Sequence, residues 1–140
     1  AANITGMLRI VAEFEEISDC QYHLVKLMQR KVEKGQDLSS DIIGGIREQA
    51  ATVSEFIDFN LKHLFEPITA TAIKDANKLE NLIDEHRQKF NKAAMMRMQD
   101  KGDIKSEMLN IDMSNQLEKM GNHALNVMEA AHEMSGHPRH

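Results

Sequence analysis

The sequence predicts an all-α fold, an antiparallel up-down four-helix bundle formed by residues 1–140 as a single domain. Three observations carry this expectation. Apolar residues recur at spacings of three and four along four successive segments, which is the period of one helix face. With two Pro and seven Gly in the chain, those segments run almost free of breakers and are rich in good helix formers. The connections between them are short, and short connections between long helices make antiparallel neighbours. Hydrophobic residues at 41% suffice for one core. Aromatics are only 4% and Trp is absent, so aliphatic residues and ten Met must fill it.

The first segment carries Ile4, Met7, Val11, Phe14, Ser18, Gln21, Val25, Met28 and Val32, with Ile10, Ile17 and Leu24 widening the stripe. Gly35 comes next, where a helix C-terminus favours glycine. Ser39 or Ser40 caps the second helix and Asp41 favours its positive end. Its stripe is Ile42, Ile43, Ile46, Ala50, Val53, Ile57, Leu61 and Leu64. Gly44-Gly45 marks a weak first turn, a kink or a close helix approach, and Pro67 ends the helix.

Thr69 or Thr71 opens the third helix, whose face is Ala72, Ala76, Leu79, Ile83, His86, Phe90 and Ala94. Lys101-Gly102-Asp103 reads as a tight connection, with Gly102 in the left-handed position and Asp103 as the N-cap of the fourth helix. The fourth helix carries Met108, Ile111, Leu117, Met120, Ala124, Val127 and Ala131, and Ser135-Gly136 and Pro138 stop it. Helices of roughly 25–32 residues make a bundle on the order of 40–45 Å long.

Several function classes fall away. The net charge is −5 and the pI about 5.8, with no basic stripe read for nucleic acid and no basic amphipathic helix for a membrane surface. No apolar run approaches the roughly 20 residues that span a bilayer, so this segment does not insert directly. Cys20 is alone, which excludes an internal disulfide and mildly favours a reducing compartment. The opening residues do not read as a secretory leader. No Gly-rich phosphate loop and no nucleophile–base order appears, so the expectation is a non-enzyme. The chain begins at Ala1, with a helical pattern starting almost at once, which is read as a piece of a longer protein.

Two stretches resemble each other at an offset of 103 residues: Phe14-Glu15-Glu16-Ile17-Ser18-Asp19-Cys20 and Leu117-Glu118-Lys119-Met120-Gly121-Asn122-His123. In each, an acidic residue and an Asp or Asn lie four apart, on one helix face. In an up-down bundle the first and last helices are neighbours and their midpoints meet. Glu15, Asp19, Glu118 and Asn122 can then converge, joined by Glu80 and Asp84 from the third helix. Clustered carboxylates call for a cation, and oxygen-rich sites suit Mg, Mn, Ca or iron. The competing reading is a set of solvated charges on exposed helix faces.

These motifs resemble the E-x-x-x-D signature of PhoU-like proteins. The match comprises Arg9-Ile10 with Glu15 and Asp19 in the first helix, and Leu117-Glu118-Lys119-Met120-Gly121-Asn122-His123-Ala124 in the last. The resemblance implies two copies of a three-helix unit. This chain would then hold the third helix of one copy and the whole of the second. It implies a regulator of phosphate uptake, most simply the cytoplasmic domain of a bacterial sodium–phosphate cotransporter. The upstream transmembrane domain of the same polypeptide would be the partner, on the cytoplasmic side of the inner membrane, with a further protein partner or a homo-oligomer as alternatives. It also implies iron or another divalent or trivalent metal at the motif carboxylates. Asn122 supplies a neutral amide oxygen where that pattern has a carboxylate, Ser18 stands for Gly, and Lys119 adds a positive charge.

The alternatives are a stand-alone phosphate-uptake regulator, a metal-free helical interaction module and, more remotely, a di-iron carboxylate enzyme. Glu129-x-x-His132 matches half of a di-iron site, and no second such motif exists to complete it. His86 lies on an apolar stripe and reads as a core histidine. His23, His63 and His123 are scattered, and His137 and His140 fall in the tail. Asp19 beside Cys20 raises its pKa and argues against a thiolate nucleophile.

Overall fold

A computed structural model describes residues 2–35 and 37–136; Pro138, His137 and His140 lie outside the described residues. It contains four α-helices: α1 (Ala2–Glu33), α2 (Ser40–His63), α3 (Ala70–Gln99) and α4 (Ile104–Gly136). Among the described residues there is no strand. Among these residues no helix is long and apolar enough to cross a membrane.

Local chemistry sets the boundaries. Ser39, not Ser40, caps α2, its hydroxyl accepting from the Ile42 N–H at 3.3 Å. Thr69, not Thr71, caps α3 in the same way through the Ala72 N–H at 3.1 Å. Asp103 caps α4, accepting from the Lys105 N–H at 3.1 Å and from the Ser106 hydroxyl at 2.8 Å. The Ser106 hydroxyl bond first, then backbone N–H bonds and the charge of Lys105, hold the Asp103 carboxyl below its ordinary pKa. Gly35 takes the left-handed conformation expected of it after α1. After α3 that conformation falls to Lys101 (φ 66°), and Gly102 comes after it, donating its N–H to the Arg97 carbonyl at 2.7 Å. This is the Schellman arrangement displaced by one residue from the expected register. Of the glycine pair, Gly45 provides the close approach. A Cβ there would lie 3.1 Å from the Phe90 ring, and α2 continues unbroken.

The helices alternate in direction, and α4 is their common neighbour. The Gln49 amide donates to the Ser114 carbonyl at 3.0 Å and accepts from the Ser114 hydroxyl at 2.8 Å, pinning α2 to α4 in a buried reciprocal pair. Arg97 grips Glu107 with two bonds, at 2.5 and 3.0 Å, where α3 turns back into α4. That carboxylate is buried, and its hydrogen bonds raise the Arg97 pKa further. Phe56, Val53, Ile83, Leu117, Val127 and Met128 are fully or almost fully buried in the core these helices share. Each such side chain contributes about 1.5–3 kcal/mol of apolar burial.

Among the described residues, α1 packs on α4 and on no other helix. The contact is made by Ile10, Ile17 and Cys20, with Phe14 and Leu24 partly covered. The stripe expected to face the core is instead turned outward, for Ile4, Met7, Val11, Val25, Met28 and Val32 are all exposed. The residues at the margin of that stripe do the packing. A helix with two apolar faces leaves the choice to its neighbours, and α4 takes one.

Candidate functional site

The two motif-bearing helices lie side by side and antiparallel, as their spacing predicts. Arg9 reaches Glu133 at 3.1 Å near one end. Further along the seam, Glu13 lies 2.7 Å from His123 Nδ1 and accepts from the Asn126 amide at 3.3 Å. The two motif segments therefore meet at one level. The residues that join them are Glu13, His123 and Asn126, which sequence reasoning did not select. The available signal was Glu13 itself, a carboxylate on the same face as Ile10 and Ile17, where solvation alone does not explain it.

The predicted oxygen ligands sit around this seam in two groups. Glu15 and Asp19 are exposed on α1, and Asn122 is exposed on α4. Glu118, partly buried, forms an ion pair with Arg87 of α3. Arg87 also bonds Asp84 at 3.2 Å, and the Gln88 amide donates to the other Asp84 oxygen at 3.1 Å. Asp84 and Glu118 are thus brought together, with the positive charge between them supplied by a guanidinium. Glu80 lies one turn before Asp84. Burial, and then the charge of Asp84, push its carboxyl above the usual range. Among the described residues no three His, Cys, Asp or Glu side chains group so as to hold a metal ion. The structure leaves Glu15, Asp19 and Asn122 apart from the Arg87 network.

His86 is buried, with Nε2 3.4 Å from Glu48 and its ring beside Phe90, as expected of a core histidine. Cys20 is buried against α4. Burial pushes its thiol pKa up, Lys119 opposes, and Glu16 and Asp19 add to the rise. Asp19 acts in the expected direction, though burial is the larger cause.

Fold and site together define an all-α helical module built on one central helix, with a polar seam where α1 and α4 meet. Comparison of the chain with protein-family models, with curated proteins and with solved structures finds no match.

Proposed function

We propose that the chain is a non-enzymatic regulatory domain of a sodium-dependent phosphate transporter, working on the cytoplasmic side of the bacterial inner membrane beside the transmembrane part of the same polypeptide. The observation that supports this is the relation between α1 and α4. At the offset of 103, Ile4 corresponds to Glu107, Val11 to Ser114 and Val25 to Met128. The α1 members are 64%, 62% and 52% exposed, and the α4 members 3%, 0% and 0%. Positions that α2 and α3 cover on α4, where Glu107 and Ser114 are polar and Met128 apolar, therefore correspond to exposed aliphatic positions on α1. That is the pattern of a repeated three-helix unit whose third helices pack together, the organisation implied by the motif resemblance.

The test is sodium-driven phosphate uptake by cells carrying the whole reading frame, with and without residues 1–140. Removal of the domain changes the rate or its response to external phosphate. Unchanged uptake, or a reading frame without apolar spans upstream of Ala1, overturns the proposal.

A second reading concerns how such a domain acts. The Arg87 bridge between Asp84 and Glu118 and the exposure of Glu15 and Asp19 favour a metal-free interaction module over one organised by iron. Elemental analysis of protein purified without chelator and then offered iron decides between them. A stoichiometric metal that is lost in Glu15→Gln and Glu118→Gln would reject the metal-free version.

A further inference from the structure

The acidic chain gathers positive charge in one place. Between the second half of α1 and the first half of α4 lie two open cavities of about 270 and 280 Å³, which share Arg30 and Asp112 in their linings and so form one groove. Its charged walls are Lys26 and Arg30 from α1, Lys34 from the turn just after it, and Lys105 and Lys119 from α4, against the single carboxylate of Asp112. None of these five cations forms an ion pair among the described residues, although Lys26 lies over the Tyr22 ring. The amides of Asn115 and Gln116 and the His23 ring add hydrogen-bonding groups to the same wall. Lys26, Arg30 and Lys34 make a short basic run of about two turns, and the fold adds Lys105 and Lys119 of α4 opposite it.

We propose that this groove binds a chain of phosphoryl groups, a polyphosphate in chemical class. Lys26, Arg30 and Lys34 stand one helical turn apart, so the cations line the groove for roughly 12 Å on that wall alone. One orthophosphate cannot touch them all, whereas a linear anion with charge at every unit can. Guanidinium and ammonium groups with amide donors between them suit phosphate oxygens, which accept several bonds each. Asp112 lies where the two cavities join and opposes binding. It works as a brake on affinity, which also gives the proposal a substitution of opposite sign. The groove stands on its own charge distribution and does not depend on the transporter reading.

Titration calorimetry of the full chain with sodium tripolyphosphate, at low salt and again at about 0.15 M ionic strength, provides the test. The expected result is saturable 1:1 binding that weakens with salt and is much tighter than for orthophosphate. Arg30→Ala with Lys119→Ala lowers affinity at least about tenfold, while Asp112→Asn raises it. Lys74→Ala with Lys78→Ala, on the exposed surface of α3, leaves it unchanged. Circular dichroism melts confirm that each variant folds. The proposal fails if no saturable binding occurs, or if the α3 variant loses affinity equally. It also fails if an acidic peptide, an oligonucleotide or anionic lipid vesicles are bound in preference to tripolyphosphate.

Discussion

Two long helices that share one short acidic pattern, α1 and α4, meet opposite fates. α4 is surrounded, with α1 on one side and α2 and α3 on the others, and its small and polar residues are buried with partners. Among the described residues α1 packs on no helix but α4, and it presents aliphatic side chains to solvent along its length. Apolar periodicity is in fact stronger in α1, the helix with more of its apolar surface exposed. What distinguishes them is how many neighbours each has, and that is a property of the fold and not of the helix.

Paired substitutions at equivalent positions separate the two. The largest difference is expected for Met128→Ala against Val25→Ala. Met128 is fully buried, so its truncation costs about 3 kcal/mol and lowers the melting temperature by about 10 °C. Val25 is exposed, and its truncation stays within about 0.5 kcal/mol. Equal losses in thermal melts would mean that α1 is covered in solution. Gly121→Val against Ser18→Val comes next. A Cβ on Gly121 would lie 2.8 Å from the Ile83 side chain, so the larger residue overpacks the α3–α4 contact and costs about 1–3 kcal/mol. Exposed Ser18 accepts Val with little change.

The smallest effect concerns the two acidic pairs of the same spacing. The folded state raises the Glu80 pKa, so its protonated form favours folding. That contribution is complete below the unfolded pKa of about 4.3 and is lost as pH rises through the folded value. At neutral pH the ionised group is a cost. Glu80→Gln therefore raises the melting temperature by about 1–3 °C at pH 7 and leaves it unchanged near pH 3.5. Glu15→Gln, on exposed α1, changes it at neither pH. A gain at pH 3.5 as large as that at pH 7 would reject the electrostatic account.

The range of each interaction decides how much of this was legible in the sequence. Ser39, Thr69 and Asp103 announced three helix starts because a cap bonds within three residues of itself. Lys101 was missed at the left-handed position because Gly102 beside it is the better candidate on conformational grounds. The inward face of α1 was missed because Ile4, Val11, Val25 and Val32 outnumber Ile10, Ile17 and Leu24, and numbers do not say where α4 lies. At the site, the antiparallel meeting of the motifs was foreseeable from topology. The Arg87–Glu118 and Glu13–His123 pairs were not, since each joins residues on different helices whose relative rotation no local pattern records.

The burial of Cys20 has a practical consequence. The only thiol of the chain lies on the packed side of α1, and its raised pKa slows reaction further. A maleimide or disulfide reagent can reach it only when α1 lifts from α4, so the chain carries its own clock for that event. Under conditions where reclosing outruns modification, the labelling rate yields the free energy of α1 release separately from global unfolding. Any ligand, partner or cation that clamps the two motif helices will be seen as a slower reaction at one native sulfur, with no probe added to the surface.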